Sequence, residues 1–191
     1  MALTPSTMLA LGTEAPDFDL PDPAGGGRVA KPAPGDKPLL VMFVCNHCPY
    51  VVHVADELGR IGADYGDRVD IVAISSNDVE NHPDDAPDKM PGFAEAHGWN
   101  FPYLFDESQD VARAYTAACT PDLFLFDREH KLAYRGQLDG TRPRRISSGN
   151  YDDAEGKANG EDLRAALDGV LVTGIAPNQQ KPSMGCNIKW K

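Results

Sequence analysis

Between Pro38 and Tyr50 the chain reads PLLVMFVCNHCPY, a seven-residue apolar run that ends at Cys45, with Cys48 after two intervening residues. A continuous run of this length, rich in Val, Leu and Phe, predicts a strand buried on both faces. Beyond it, Val51, Val54, Ala55, Leu58, Ile61 and Tyr65 recur at three- and four-residue spacing, which predicts an amphipathic helix. The cysteines then sit at a strand-to-helix junction. Pro49 falls in the first turn, where its missing N–H costs little.

The first turn of a helix presents unpaired N–H groups and the positive end of its dipole, which together favour an anion. Only the thiolate attacks a disulfide, so a cysteine whose pKa falls from about 8.5 toward 7 is a nucleophile at neutral pH. That role is expected of Cys45, at or near the N-cap. Cys48, one turn further, is then close enough to close a small disulfide ring and release a captured partner. Half of a zinc site and a packed pair of small apolar side chains are the competing readings. Against zinc, the chain has no second C-x-x-C and no spaced His pair. Of the nearby histidines, His47 reads as an electrostatic neighbour of the dithiol and His53 as a surface residue of the helix.

At 191 residues the chain suits one domain with a sizeable core, divided as an arm over 1–11, a domain over 12–174 and a tail over 175–191. Its 29 acidic and 18 basic residues give a formal charge of −11, which repels nucleic-acid backbones and anionic membrane surfaces. The start MALTPSTMLALG has no basic residue ahead of its short apolar patch, unlike a secretion signal, and no apolar run approaches the roughly 20 residues that span a bilayer. A cytoplasmic location is therefore expected. In a reducing compartment the four cysteines, Cys45, Cys48, Cys119 and Cys186, are seldom a structural disulfide framework, so the close pair points to redox chemistry or metal binding.

Taken in order, residues 1–11 read as a loosely held arm and Phe18 to Val29 as a short hairpin. Val69–Ser75 is a second apolar run, and strand, helix and strand in succession imply parallel pairing through a right-handed crossover. Residues 77–92 are acidic and broken by prolines, leading into a short helix over 89–97. A short strand is expected over 99–104. Asp106 and Gln109 resemble a capping box, opening a helix that carries Val111, Ala114, Tyr115 and Ala118 and ends near Cys119. Thr120-Pro121 precedes the strand Leu123–Phe126, a tolerated place for proline. Leu132–Leu138 returns antiparallel. Residues 139–160 read as a polar loop with Arg142, Arg144 and Arg145 near its start. The last helix opens on Glu161 and Asp162 and stops at Gly174. Its tail shows no periodicity but holds Cys186 and Trp190.

A strand ending in C-x-x-C that opens a helix, with a later Thr-Pro, an antiparallel pair and a final helix, resembles the thioredoxin fold. GTEAPDFDL is similar to the opening of the alkyl hydroperoxide reductase and thiol-specific antioxidant branch. FVCNHCPYVVH, CTPDLFLFD, RGQLDG and PSMGCNIKWK resemble an uncharacterised peroxiredoxin-like group within it, over residues 12 to 191. The resemblance implies an α/β, thioredoxin-like fold: a central mixed sheet of about five strands flanked by helices, with an N-terminal hairpin and a C-terminal tail. It also implies that Pro121 is a cis-proline packed beside the dithiol, with Thr120 before it. Peroxiredoxins carry a Pro seven residues and a Thr three residues before their reactive cysteine, and an Arg on a later strand. Pro38 matches, Met42 replaces the Thr, and no Arg lies near Pro121 in sequence. Peroxide reduction is thereby demoted. His47, where disulfide oxidases also carry a His, is expected to stabilise the Cys45 thiolate and make the disulfide more oxidising than thioredoxin's roughly −270 mV.

The expected activity is thiol–disulfide exchange, with Cys45, Cys48 and Pro121 at the centre and Asn46, His47, Thr120, Cys119 and Cys186 in support. Cys119 is read as either a third redox partner or a small packed residue, and Cys186 as either an extra resolving thiol or a bystander. Tyr50 and Trp190 are expected to flank the site. The expected partners are protein or small-molecule thiols and disulfides, with a cytosolic dithiol as reductant and no bound organic cofactor. A peroxiredoxin-like thiol peroxidase with Cys45 as peroxidatic cysteine, a copper- or zinc-binding protein using Cys45 and Cys48 with His47 or a third thiol, and an interaction module are the alternatives. Oligomeric state and the direction of exchange are open.

Overall fold

The computed structural model describes residues 3–154 and 156–191. In chain order these form β1 (Leu3–Pro5), β2 (Asp19–Pro21), β3 (Arg28–Ala30), β4 (Leu39–Phe43), α1 (Pro49–Tyr65), β5 (Asp70–Ser75), α2 (Met90–Ala96) and β6 (Tyr103–Phe105). There follow α3 (Asp110–Ala114), β7 (Cys119–Thr120), β8 (Asp122–Phe126), β9 (Leu132–Gly136), β10 (Arg144–Ser147), β11 (Asn150–Asp152), α4 (Glu161–Thr173) and β12 (Met184–Asn187).

The apolar run becomes β4, buried along its whole length because it lies mid-sheet in the order β6-β5-β4-β8-β9. It pairs parallel with β5, Val41 opposite Val72, and antiparallel with β8, Val41 opposite Phe124. The outer strands continue the pattern, β6 parallel to β5 and β9 antiparallel to β8. Side chains of β4 alternate between two cores. Leu40 and Met42, with Val44 just beyond the strand, meet Val51, Val54, Ala55, Leu58, Ile61 and Tyr65 of α1 and Leu163, Ala166, Leu167 and Val170 of α4. Leu39, Val41 and Phe43 meet Tyr115, Phe124 and Phe126 on the other face. The periodic stripe Val51 to Tyr65 is therefore the buried face of α1, and α4 stops where Gly174 turns left-handed at φ +75°.

Four local expectations are corrected. The arm over 1–11 is not loose where it is described: Leu3, Thr4 and Pro5 pair with Cys186, Gly185 and Met184, so β1 and β12 form a three-stranded sheet with β7. Met1 and Ala2 of that arm lie outside the described residues. The strand expected over 99–104 is β6, shifted toward Phe105 because Tyr103, Leu104 and Phe105 carry the pairing to Ala73, Ile74 and Ser75. The helix expected to reach Cys119 ends at Ala114, and Gln109 takes a left-handed φ of 66° at its N-cap rather than closing a capping box. Its amide instead donates to the carbonyls of Ser76 and Lys189 at 2.7 and 2.8 Å. The loop over 139–160 contains the hairpin β10–β11, in which Arg144 forks onto the Asp152 carboxylate at 3.1 and 2.7 Å. No helix among the described residues is long and apolar enough to cross a membrane.

Candidate functional site

The residue before a proline is pushed out of the helical region, so α1 starts no earlier than Pro49. Cys48 is accordingly the N-cap, extended at φ −72° and ψ 121°, and Cys45 lies outside the helix, two residues past β4. This corrects the expectation that Cys45 caps the helix. Both cysteines converge on Thr120, which pairs with Cys186 of β12 at the end of β7. Cys45 Sγ lies 3.5 Å from Thr120 Oγ1, and Cys48 Sγ donates to the Thr120 carbonyl oxygen at 3.2 Å. The Thr120–Pro121 peptide is cis, as the resemblance implied.

The corner between the cysteines is held by a residue of the acidic, proline-broken stretch 77–92. Asp85 is fully buried, and its Oδ1 accepts from the backbone N–H groups of Asn46 and His47 at 2.8 and 3.1 Å. Its Oδ2 meets His47 Nδ1 at 2.6 Å and accepts from Asn77 Nδ2 at 2.8 Å. Asn46 is fixed further by donation to the Asp84 carbonyl and by acceptance from the Tyr103 hydroxyl. His47 stacks on His82 with ring centroids 5.5 Å apart. The charge of His47 is thus engaged with Asp85 rather than aimed at Cys45. The Asp85 hydrogen bond raises the His47 pKa.

Burial pushes the Cys45 thiol well above its ordinary range, and a hydrogen bond with Cys48 and the Asp85 charge add to the rise. Burial also opposes ionisation of Cys48, but hydrogen bonds with Cys186, Cys45 and Thr120 outweigh it and bring Cys48 well below the usual thiol range. The helix dipole acts in the same direction at an N-cap. These contacts favour ionisation of Cys48 over that of Cys45, the opposite of the order expected from sequence. Both residues are sealed from solvent, Cys45 at 1% exposure and Cys48 at 0%.

The other expected site residues divide. Cys186 joins the dithiol through its hydrogen bond to Cys48, which raises the Cys186 pKa. Cys119 is buried, 3.5 Å from the Pro121 carbonyl, and burial followed by the Asp122 charge raises its thiol. Tyr50 packs beside the site, edge-on to Tyr151 at 6.4 Å, whereas Trp190 lies under the guanidinium of Arg113 on α3. His53 is not at the surface. Its side chain is 1% exposed and joins Asp153 at 2.6 Å and Thr141 at 2.8 Å, clipping the 139–160 segment to α1. An open cleft of about 510 Å³ lies beside this clip, lined by His47, Pro49, His53, Pro143, Tyr151 and Asp152, and neither cysteine lines it. An arginine does approach Pro121 through sheet pairing. Arg135, fully buried, donates to Asp122 at 3.1 Å and covers the Phe124 ring, on the sheet face opposite Cys45. Cys45 Sγ, a ring nitrogen of His47 and an Asp85 oxygen lie within 4.8 Å of one another, a cluster with metal-ligand chemistry that the spacing of C-x-x-C motifs does not reveal.

Comparison with known proteins fits this geometry. A crystal structure of an uncharacterized conserved protein from Geobacillus kaustophilus is 47% identical with a TM-score of 0.90, covering 100% of this chain and 97% of that one. A hypothetical protein from Sinorhizobium meliloti 1021 is 44% identical with a TM-score of 0.86, covering 98% of each chain. The thioredoxin domain of a thiol-disulfide oxidoreductase from Bacteroides vulgatus shares the fold at 23% identity and a TM-score of 0.56, over 69% of this chain and 91% of that one. Among curated proteins none matches the chain. Residues 11–135 match the model of the AhpC/TSA family, a span that contains β4, the cysteine corner and Thr120-Pro121. With its thioredoxin-like fold and its general assignment to thiol redox chemistry, the chain belongs to the AhpC/TSA family.

Proposed function

We propose that the chain is a thiol–disulfide oxidoreductase that works through Cys45 and Cys48 by way of a mixed disulfide. The observation that carries this reading is the convergence of both sulfurs on Thr120, beside the cis peptide to Pro121. In the cycle, Cys45 Sγ gives up its proton and attacks a partner disulfide, and one partner sulfur leaves and takes up that proton. Cys48 then gives up its own proton and attacks Cys45 Sγ, which closes the Cys45–Cys48 disulfide and expels the second partner sulfur, the acceptor of that proton. The partner gains two electrons and the dithiol loses two. A cytoplasmic dithiol restores them, and no organic cofactor enters. Because the sulfurs are sealed, an incoming protein or small-molecule disulfide has to displace β12 or the Asp85-held corner.

Two other readings each have one supporting observation. Family membership favours a thiol peroxidase, but Met42 stands where peroxiredoxins carry a Thr and Arg135 is committed to Asp122 on the far face. The Cys45, His47 and Asp85 cluster favours metal binding, although the Asp85 oxygens already accept from Asn46, His47 and Asn77. Reduction of insulin disulfides by dithiothreitol separates the three. Turnover by the wild type that is lost in Cys45→Ser and in Cys48→Ser supports exchange. Absence of turnover with stoichiometric copper or zinc in the purified protein overturns it in favour of metal binding. Peroxide consumption that is lost in Cys45→Ser but only slowed in Cys48→Ser overturns it in favour of a peroxidase.

A further inference from the structure

We infer that Cys186, on the tail strand β12, is an internal exchange partner of Cys48, so that the disulfide formed in turnover can migrate from Cys45–Cys48 to Cys48–Cys186. The inference rests on the exchange reading above and extends it to a third thiol.

β12 is the middle strand between β1 and β7, and its register sets Cys186 opposite Thr120, the residue on which Cys45 and Cys48 converge. Cys186 is 3% exposed, lies in the same buried cluster as both partners and is hydrogen-bonded to Cys48 through its side chain. The strand is pinned on both sides of this sulfur. Upstream, the Ser183 carbonyl accepts from Ser6 N–H at 2.8 Å. Downstream, Ile188 is buried and Lys189 N–H donates to Asn77 Oδ1 at 2.8 Å, while the Lys189 carbonyl accepts from Asp78 N–H and Gln109 Nε2. A side chain at position 185 would collide with the Thr120 carbonyl, so glycine there is what lets the strand approach this closely. A thiol held against Cys48 in a sealed pocket has an advantage of proximity that no external thiol shares.

The step is an isomerisation. Cys186 loses its proton and attacks Cys48 Sγ of the Cys45–Cys48 disulfide; the Cys48–Cys186 bond forms, the Cys45–Cys48 bond breaks, and Cys45 leaves as a thiolate that takes up the proton. No electron enters or leaves. In the reduced trio the hydrogen bond to Cys48 holds the proton on Cys186. Once Cys48 is committed to a disulfide that hydrogen bond is lost, and the restraint on Cys186 goes with it. Migration returns Cys45 to the thiol form while the oxidation is stored on the tail.

The test is full-length Cys45→Ser equilibrated across a glutathione redox series, trapped with N-ethylmaleimide and mapped by mass spectrometry. The expected result is a Cys48–Cys186 linked peptide at the oxidising end, with joint loss of both alkylation signals while Cys119 stays alkylated. Recovery of Cys48 as a glutathione mixed disulfide or an alkylated thiol, with Cys186 alkylated, overturns the inference. Wild type in the same series reports on the underlying reading: if Cys45–Cys48 forms but Cys48–Cys186 does not appear in the variant, only the migration falls. If Cys45–Cys48 never forms, the exchange reading falls and the migration with it. Should Cys45→Ser fail to fold, acid-quenched wild type partway through oxidation serves instead, where a Cys48–Cys186 link supports the inference and its absence overturns it.

Discussion

Replacing Asp85 by asparagine isolates the contribution of the buried carboxylate that builds the cysteine corner. The substitution keeps the shape and one acceptor oxygen, so the bonds from Asn46 and His47 N–H survive. Opposite His47 Nδ1 and Asn77 Nδ2 it sets an amide donor in place of a charged acceptor. Two charge-assisted bonds at about 1.5–3 kcal/mol each set the upper bound, and rearrangement of the imidazole tautomer recovers part, leaving a loss of about 2–4 kcal/mol. The loss depends on pH in a defined direction. Burial opposes the Asp85 charge, but hydrogen bonds from His47 and Asn77 win and hold its pKa below the usual 3.8. Stability from this depressed group is full above 3.8 and fades as pH falls through the folded value. The Asp85 hydrogen bond raises His47 above its usual 6.5, so its contribution is full below 6.5 and fades as pH climbs through the raised value. The difference between wild type and variant is therefore widest between 3.8 and 6.5 and narrows on either side. Urea unfolding followed by the fluorescence of buried Trp99, with the slope m unchanged, measures it. A difference below about 1 kcal/mol, or one equal at about pH 5 and about pH 9, refutes the account.

Three further outcomes follow from the packing. Gly185→Ala forces β12 away from the Thr120 carbonyl at a cost of about 1–3 kcal/mol and raises the maleimide reactivity of Cys48 and Cys186; unchanged protection of both thiols contradicts the tail's role as a seal. Arg135→Met strands the buried Asp122 carboxylate and destabilises the fold by about 3–5 kcal/mol, whereas Asp122→Asn with Arg135→Met recovers much of the loss; a double-mutant cycle in urea with no coupling argues otherwise. Cys119 stays reduced throughout a glutathione titration, because burial and the Asp122 charge raise its thiol; a mapped disulfide from Cys119 to Cys48 is the contrary result.

The parts of the fold legible in the sequence are those whose burial repeats at short range. β4 announces itself because both of its faces are covered and every residue is apolar, and α1 because its buried residues recur at the helical period. Pro49 marks the helix start, and by excluding its preceding residue from the helical region it makes Cys48 the cap rather than Cys45. Asp85 had no such signal. It lies in an acidic, proline-broken stretch whose bulk reads as solvated, and a single carboxylate folded over Asn46 and His47 leaves no periodic trace.

The tail gives the sharpest case. Met184–Asn187 is too short for alternation to be visible, and its partners, Leu3–Pro5 and Cys119–Thr120, lie at the opposite end of the chain and in its middle. Pairing over such separations is decided by where the rest of the chain leaves an unpaired edge, which no local window contains. Gly185 and Cys186 carry meaning only together, the glycine by letting the strand approach Thr120 and the cysteine by what it meets there. A dithiol expected from the sequence to be nucleophilic is, in the folded chain, covered, with a third sulfur already in contact. Its reactivity is therefore set as much by the stability of the three-stranded sheet as by the charge at the start of α1, and loosening that sheet is the direct way to change it.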